Sequence, residues 1–487
     1  MSGLSPFANA AKSGGEMLAQ SARPLVVARL VAANSPAMIC AFLPIAAVAL
    51  ATGATEIAAA LIPAMVASVA LTAWAFFGET PKPRRGEALV SVAASFLLTI
   101  LLVAPAFSVL GMDLADALFE ATSSITTTGL SMAPTVADWP VAAHFMRAWL
   151  QWIGGFAFVA AALALVIGQG VIAKRLSAAG GISDDRAAST RSRARQLLAI
   201  YIGLSVIAVL AVAAAHPDPV RGALIALSAI STGGFSPYDD SVASGGLAAQ
   251  AATIAGCAVG AVSLGLWWMV FREGPLKLIR DGEFRLFALI MVLGAAAVVA
   301  IETSSGGATP WAAIFTTVSA QTTAGFSIGN VADFSDPSRI ALICVMVVGG
   351  CLGATAGGVK AFRLAFVLAA TKLVLLRSRV PDGSVTYLRV FGRRTDPGEG
   401  TDVVGLLAIY GLSAATLWFT LVASGASALP ALFDAVSALS TVGLSVGAIT
   451  PDLPDFAKAV ATVAMLLGRL EFLALIVLLT PGTWKKG

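Results

Sequence analysis

The sequence feature that most restricts the fold of this chain is a succession of ten apolar segments, each about long enough to cross a membrane. About twenty apolar residues suffice to cross a hydrocarbon core roughly 30 Å thick. Of the 487 residues, 58% are hydrophobic and 12% are charged, whereas a typical soluble domain has roughly 25% charged residues. The chain is therefore predicted to be an integral membrane protein without a large soluble domain. The segments are 35–52, 55–77, 88–110, 142–172, 196–215, 247–271, 284–303, 338–376, 402–424 and 456–480.

The basic residues between these segments define the predicted orientation, because cytoplasmic loops of membrane proteins carry an excess of Lys and Arg. Five basic clusters fall on one side, and the loops on the other side are mostly acidic, with Arg221 as an exception. Both termini are therefore predicted to be cytoplasmic. We interpret the basic loops as determinants of topology and contacts to anionic lipids, with a minority available to a cytosolic partner. The clusters are Lys82, Arg84 and Arg85; Lys174, Arg175, Arg186, Arg191, Arg193 and Arg195; Arg272, Lys277, Arg280 and Arg285; Arg377, Arg379, Arg389, Arg393 and Arg394; and Lys485 and Lys486.

Composition argues against several other functions. The net charge of +4 is small for this length and carries no signature of nucleic-acid binding. The four cysteines lie in apolar segments without a CxxC pair, and His144 and His216 have no local cluster of acids or cysteines. We therefore predict no metal site built from side chains, no organic cofactor and no enzymatic activity, since a membrane enzyme needs convergent acids, histidines or a nucleophile.

One nine-residue pattern occurs four times, between alternate pairs of apolar segments. We call these stretches the glycine segments, and each has a serine at the start, a threonine two residues before a shared glycine, and Leu or Phe followed by Ser at the end. The shared glycines are Gly129, Gly234, Gly325 and Gly443, so successive copies are 105, 91 and 118 residues apart. Internal repetition indicates one structural unit used several times. The segments are SSITTTGLS (123–131), SAISTGGFS (228–236), SAQTTAGFS (319–327) and SALSTVGLS (437–445).

The repetition predicts an all-α integral membrane protein with four tandem helix–pore-loop–helix repeats around a pseudo-fourfold pore. Irregular backbone at membrane depth is tolerated only where protein buries it or where it lines a water-filled path. The four glycine segments should therefore line one pore. The predicted organisation is 1–87 for two additional N-terminal transmembrane helices, then repeats at 88–195, 196–280, 281–400 and 401–487.

The predicted chemistry is the coordination of a dehydrated potassium ion by backbone carbonyl oxygens. Glycine allows positive φ and turns its carbonyls toward an axis that a side chain would block, and rings of such oxygens replace the hydration shell of K⁺. The short helix before each segment should point its negative carboxyl end at the cavity. Close packing through small residues accounts for one segment but not for four in one register. The predicted ion-binding residues are Thr127, Thr128, Gly129, Thr232, Gly233, Gly234, Thr323, Ala324, Gly325, Thr441, Val442 and Gly443.

The acidic residues near these segments have a simpler interpretation. Acids near the amino end of a short helix complement its dipole, and this reading is preferred for Asp116, Glu120, Asp218 and Asp434. They also raise the local cation concentration at the pore mouth.

The segment 338–376 is too long for one crossing, since a helix of that length would span roughly 58 Å. Its middle reads GGCLGATAGGVK, which predicts a broken helix with a loop inward of the third glycine segment; the alternative is a kink that packs against a neighbour. Arg469 and Glu471 lie deep in the last segment and on different helix faces, so each is predicted to need a partner on a different helix. We predict a pore-facing role for Arg469, whereas Glu471 also suits a structural ion pair. The predicted gate is Gly349, Gly350, Gly353, Gly357, Gly358, Lys360 and Arg469.

Together these residues resemble the Trk/Ktr/HKT superfamily of potassium transporters, over the chain from about residue 88 to its end. The resemblance rests on the four glycine segments, QWIGG at 151–155, the GGCLGATAGGVK loop and GRLE at 468–471, and the two leading helices look like the Trk-H branch. It implies potassium uptake across the bacterial inner membrane, a homodimer, a gate made by the loop and the deep arginine, and a cytosolic nucleotide-binding regulator of the Trk-A kind. In that family serine at the first filter glycine goes with sodium transport, so four glycines imply a preference for potassium.

Two alternatives stay open at this point. One is a sodium and potassium transporter of weak selectivity. The other is a secondary transporter for a small solute, which would favour inverted repeats about a midplane site. Segments that do not meet on one axis would favour the second.

Overall fold

The computed structural model describes residues 21–77, 83–166, 186–381, 386–395 and 397–484. Within these ranges the fold is helical, apart from a small antiparallel hairpin of Arg389–Val390 and Arg393–Arg394. Six helices in the described ranges are long and apolar enough to cross a membrane, or seven if one bent pair counts as a single span. The chain is thus a multi-pass, all-α membrane protein.

The four repeats share one order of elements: a leading helix, a short helix, a glycine segment and a trailing helix. The leading helices are Arg85–Ser108, Arg186–Ala215, Gly282–Ser305 and Pro397–Ala423. The short helices are Leu114–Ile125, Pro219–Ile230, Pro310–Gln321 and Ala428–Leu439. The trailing helices are Val141–Val166, Gly246–Gly260 with Leu264–Glu273, Asp336–Val348 with Ala361–Arg377, and Asp455–Arg469 with Leu473–Leu479. Pro24–Ala51, Thr55–Ala60 and Ile62–Phe76 precede the repeats, and Leu276–Arg280, Ala243–Gly245, Val331–Asp333 and Pro481–Thr483 are short helical turns.

The first helix begins at Pro24, eleven residues before the predicted span 35–52. Proline at the first helical position is pre-organised for a helix start. The start is fixed by contacts distant in sequence, since Ala22 N donates to Thr483 O at 2.7 Å and Arg23 Nε lies 2.7 Å from Glu87 Oε1. Local hydropathy could not reveal these contacts.

Three of the four trailing helices are interrupted, whereas the sequence predicted an interruption only in 338–376. In the second repeat the two halves meet at 96° after Gly260. In the fourth, the helix stops at Arg469, and Glu471 and Phe472 follow with positive φ. Val141–Val166 of the first repeat is continuous. The trailing helices therefore differ just where they approach the glycine segments.

The short helices are twelve residues each, and the first three begin with a side-chain N-cap. Asp113, Asp218 and Thr309 each accept a hydrogen bond at the N-cap from a backbone N–H of the first turn, which satisfies donors that have no partner within a helix. Each short helix is mostly buried between the longer helices. This packing fixes the position of the glycine segment that follows.

Several predicted cytoplasmic residues lie outside the described part of the chain. These are Lys82, Lys174, Arg175, Lys485 and Lys486, together with residues 1–20.

Candidate functional site

The four glycine segments meet in a closed ring, and neighbours touch through backbone atoms. A Cβ added to any of the four shared glycines would collide with a carbonyl oxygen of the next segment. The fourth glycine meets the first segment, so the segments follow one another around a common axis. A side chain at any of these positions would therefore require the neighbouring backbone to shift. The pairs are Gly129 with Gly233, Gly234 with Ala324, Gly325 with Val442, and Gly443 with Thr128.

A threonine with left-handed backbone precedes each ring glycine by two positions. The φ angles are 54°, 55°, 54° and 51° for Thr127, Thr232, Thr323 and Thr441. Each short helix has just ended there, and a left-handed residue at that point is usually Gly or Asn. A β-branched residue in this region is strained. Since the strain recurs at four equivalent positions, the ring geometry imposes it.

The buried hydroxyl groups of these threonines define one side of the ring, which we call the threonine face; the closing serines of the segments lie on the opposite serine face. Thr127 Oγ1 and Thr441 Oγ1 have no hydrogen-bond partner within the described residues. Thr323 Oγ1 accepts from Gly357 N at 2.8 Å, and Thr232 Oγ1 lies 3.4 Å from Thr355 Oγ1. An unpaired buried hydroxyl is costly, so the two free groups suit a polar or cationic ligand.

Each repeat carries a second glycine near the ring, at a repeated spacing that the sequence analysis overlooked. A Cβ at Gly154, Gly260 or Gly468 would collide with the carbonyl oxygen of the last residue of the short helix in the same repeat. In the third repeat, the equivalent glycine is Gly350, at the start of the loop formed by residues 349–360. A Cβ at Gly350 would collide with the side chain of Ala356. These four glycines follow Gly129, Gly234, Gly325 and Gly443 by 25 or 26 positions. That spacing was a second repeated signal in the sequence.

On the serine face, two buried acids hold the ends of the first and fourth glycine segments. Glu120 accepts from Ser131 Oγ at 3.0 Å and Met132 N at 3.1 Å. Asp434 accepts from Ser445 Oγ at 2.7 Å and from the backbone N–H groups of three residues of the following turn, Val446, Ala448 and Ile449. Both acids lie in the middle of their helices, so their interpretation as partners of the helix amino end was wrong.

Arg147 is a further residue that sequence reasoning missed. Its Nε lies 3.0 Å from Glu120 Oε1, and both side chains are at most 4% exposed. The guanidinium carbon also lies 3.7 Å from the ring centroid of Phe235. Arg147 therefore joins the first glycine segment, through Glu120, to the second.

Asp239 links the loops of the first two repeats on the serine face. It accepts from Thr135 Oγ1 and from Val136 N, both at 2.7 Å. Partial burial tends to raise the pKa of Asp239, but the hydrogen bonds from Val136 and Thr135 outweigh it and hold the pKa below its ordinary value. The carboxylate thus stays ionised near neutral pH.

The glycine loop, residues 349–360, lies directly against the threonine face and contacts the other three repeats. Thr355 Oγ1 donates to Gly260 O at 2.9 Å in the second repeat. A Cβ at Gly357 would collide with Ser440 O and Thr441 Oγ1 of the fourth repeat. The first repeat is reached through Arg469, as described next. The loop thus occupies the space next to the ring on its threonine face.

Arg469 is 1% exposed and connects the glycine loop to the first repeat. Its Nη1 donates to Thr355 O at 2.6 Å and its Nη2 donates to Gly154 O at 2.9 Å. Phe158 lies beside it, with 4.6 Å from the ring centroid to the Arg469 guanidinium carbon and 5.2 Å to Lys360 Nζ. Lys360 Nζ also donates to Ala356 O within the loop. Two buried cations therefore hold the loop in one conformation.

Glu471 has a different partner, Arg363, which lies in the helix that follows the glycine loop. Its Oε2 lies 2.5 Å from Arg363 Nη2, and Arg363 Nη1 donates to Val359 O at 3.0 Å. The structural ion pair considered for Glu471 is therefore present. It ties the break in the last trailing helix to the helix that follows the glycine loop.

Comparisons with known proteins agree on one family. The family model described as "TrkH: Cation transport protein" matches residues 87–482. The "Trk system potassium uptake protein TrkH" of Vibrio parahaemolyticus is 30% identical over 390 residues, which cover 77% of this chain and 80% of the relative. The protein of the same name from Escherichia coli strain K12 is 30% identical over 398 residues, with 77% and 80% covered.

A solved structure gives the same result for the fold. The crystal structure of the potassium transporter TrkH from Vibrio parahaemolyticus superposes with a TM-score of 0.80 at 27% sequence identity. The match covers 94% of this chain and 99% of the other.

Proposed function

Since this chain belongs to the TrkH family of cation transport proteins, we propose that it takes up potassium ions through a pore formed by its four glycine segments. The backbone carbonyls of the ring, including those of Thr128, Gly233, Ala324 and Val442, replace the water around a dehydrated ion. Potassium is the transported substrate and no organic cofactor takes part. The relatives named as potassium uptake proteins support the choice of ion.

The single observation that carries the proposal is the closed ring. Four segments from distant parts of one chain approach so closely that a Cβ at any ring glycine would strike the neighbouring carbonyl. Close packing of helices through small residues requires no such closure of four equivalent backbones. A site between inverted repeats requires no common axis, so the ring also favours a pore over a secondary transporter.

The glycine loop with Lys360 and Arg469 is proposed as the gate. It lies against the threonine face, where Gly357 N donates to Thr323 Oγ1 and Arg469 donates to Thr355 O. An ion leaving the ring on this side would meet the loop, so conduction requires that the loop moves. Gly349, Gly353 and Gly358 have positive φ, which permits the loop conformation without the strain that a side chain would add.

The ring glycines also bear on selectivity. All four positions are glycine, so we propose that potassium is preferred over sodium, and a transporter of weak selectivity is the alternative. Through the resemblance to the superfamily we further propose a homodimer in the bacterial inner membrane, with both termini cytoplasmic and a cytosolic nucleotide-binding regulator of the Trk-A kind.

The proposal is tested by supplying this gene to a bacterium that lacks its own potassium uptake systems. We expect growth at micromolar to millimolar potassium and uptake of rubidium as a tracer. Gly129→Ser and Gly325→Ser should lower the discrimination of potassium over sodium, because a side chain enters the ring. Absence of uptake by the parental chain together with its regulator contradicts potassium transport, and equal ion ratios in parent and variants contradict the filter.

The gate is tested by shortening the loop between Gly349 and Gly358. We expect a higher rubidium flux with an unchanged ratio of potassium to sodium. A flux that stays at the parental level in folded protein shows that the loop is not the gate.

A further inference from the structure

Gln151, in the trailing helix of the first repeat, contacts the glycine segment of the second repeat at two points. Its Nε2 donates a hydrogen bond to Gly233 O, and its Oε1 accepts one from Phe235 N at 3.2 Å. The side chain is fully buried. The two backbone groups belong to the peptide units on either side of Gly234. One carboxamide thus holds both peptide units of a ring glycine.

This contact makes the second quarter of the ring different from the others. The oxygens at the level of Gly233 O are those of Thr128, Ala324 and Val442, and within the described residues no side chain donates a hydrogen bond to these three. Counting back three residues from the glycine of each trailing helix gives Gln151, Cys257, Val347 and Met465. Only the first of these side chains carries an amide.

The contact also explains why the second segment has two consecutive glycines. A Cβ at Gly233 would collide with Cδ and Oε1 of Gln151. The same position holds Thr128, Ala324 and Val442 in the other segments, so the ring itself tolerates a side chain there. The Gly233 position is therefore restricted by Gln151 rather than by the ring axis.

A second side chain of the same helix face contacts the same segment. Arg147 lies one turn before Gln151, and residues four apart on a helix lie on one face. Its guanidinium stacks on Phe235, the residue whose N–H donates to Gln151. The first trailing helix thus contacts residues 233–235 in two ways, through the hydrogen bonds of Gln151 to the backbone and through the stacking of Arg147 on the Phe235 side chain.

We propose that Gln151 is a positioning residue that determines ion selectivity by fixing the carbonyl oxygen of Gly233 in the ring. The inference rests on the proposed filter and deepens it. In the cavity-size account of selectivity, discrimination against the smaller sodium ion requires that the oxygens do not contract around it. A carboxamide bonded on both sides of Gly234 opposes such contraction in one quarter of the ring, since any inward movement of Gly233 O breaks its hydrogen bond.

The test compares the ratio of rubidium to sodium uptake in the full chain, expressed with its regulator in a bacterium deficient in potassium uptake. Gln151→Leu removes the hydrogen bonds, and Gln151→Glu keeps the size but replaces the donor by an oxygen that repels Gly233 O. We expect the ratio to be roughly threefold to tenfold lower in both variants, which corresponds to the free energy of one lost hydrogen bond. Met465→Leu is the matched control at the equivalent buried position and should keep the parental ratio. A merely structural role would change the amount of folded protein but not this ratio.

Gly129→Ser is measured in parallel to separate this inference from the proposed filter. If Gly129→Ser changes the ratio and the folded Gln151 variants do not, the role of Gln151 is wrong and the filter stands. If none of these variants changes the ratio, both proposals are wrong.

A second comparison covers the case in which the Gln151 variants do not fold. Gly233→Ala alone should lower uptake, because its Cβ strikes the carboxamide. Adding Gln151→Ala removes the clash, so the double variant should regain a part of the lost flux while its selectivity stays low. A double variant no better than Gly233→Ala, or one with the parental ratio, overturns the inference.

Discussion

The four repeats agree closely within the ring but differ in the trailing helices on its threonine face. Around the ring, the left-handed threonines agree within a few degrees and the ring glycines all have positive φ. On the threonine face, the trailing helices are respectively continuous, bent at 96°, opened into a loop, and broken after Arg469. In the proposed filter, the ring presents equivalent oxygens to one ion, and this requirement would hold the four backbones alike. No such requirement would act on the trailing helices, and each of the four has a different course next to the ring.

The strongest test of ring equivalence uses two glycines of the fourth repeat with the same backbone angle. Gly443 and Gly447 both have φ of 91°, but only a Cβ at Gly443 meets the Thr128 carbonyl, whereas Gly447 has open space. We expect Gly443→Ala to lower rubidium uptake roughly tenfold to a hundredfold, since overpacking costs about 1–3 kcal/mol. Gly447→Ala should retain most of the uptake. Similar losses in both variants would mean that backbone strain, and not ring closure, is decisive.

The closure on the threonine face is tested at Arg469. Its two hydrogen bonds to Thr355 O and Gly154 O join the loop to the first repeat, and hydrogen bonds from charged groups contribute about 1.5–3 kcal/mol each. We expect Arg469→Ala to raise rubidium flux about tenfold with the rubidium to sodium ratio unchanged, and Arg469→Lys to give an intermediate flux. A changed ratio at parental flux would place Arg469 in the filter rather than in the gate.

The serine face distinguishes repeats one and four from repeats two and three. Asp434 accepts four hydrogen bonds, whereas Thr316, at the equivalent position of the third repeat, has a buried hydroxyl without a partner in the described residues. We expect Asp434→Leu to destabilise the protein by about 1–3 kcal/mol or more, because buried N–H groups lose their acceptor.

Thr316→Val is the matched control, since it removes a polar group that has no partner. It should leave the apparent melting temperature in detergent unchanged or slightly higher. A clear loss of stability in Thr316→Val would show that this hydroxyl is paired.

The smallest expected effect concerns Phe158. A cation over an aromatic ring contributes about 0.5–2 kcal/mol, and Phe158 faces both Lys360 and Arg469. We expect Phe158→Leu to raise rubidium flux a few-fold and Phe158→Tyr to behave nearly as the parent. Equal flux in all three proteins would show that the aromatic side chain of Phe158 does not stabilise the glycine loop.

The structural features that the sequence predicted, the approach of the four glycine segments and the interruption of 338–376, are those that appear as local sequence patterns. The ring glycines and the loop between Gly349 and Lys360 occur as repeated or glycine-rich stretches, and their positions follow from membrane physics. The sequence also indicated that Arg469 and Glu471 need partners on other helices, although it could not name Thr355, Gly154 or Arg363. Contacts between residues hundreds of positions apart are not encoded in spacing.

The missed features have physical reasons of the same kind. The break after Arg469 contains no Gly or Pro, and Glu471 and Phe472 adopt positive φ only because tertiary contacts such as the Arg363 ion pair hold them. Glu120 lies in the middle of its helix and not near the amino end, and its role depends on the end of the glycine segment, where Ser131 and Met132 donate to it. Gly154, Gly260 and Gly468 follow the ring glycines of their repeats by 25 or 26 residues, a regular spacing that is present in the sequence itself.

All four quarters of the ring are contributed by one polypeptide, and this has an evolutionary consequence. In a pore assembled from four identical subunits, every substitution is made four times and its effect on the ion is multiplied. Here a single codon alters one quarter alone, so properties such as ion preference can be adjusted in small steps. Duplicated repeats can therefore diverge in single side chains, as in the trailing helices, where the first carries Gln151 and the fourth carries Arg469.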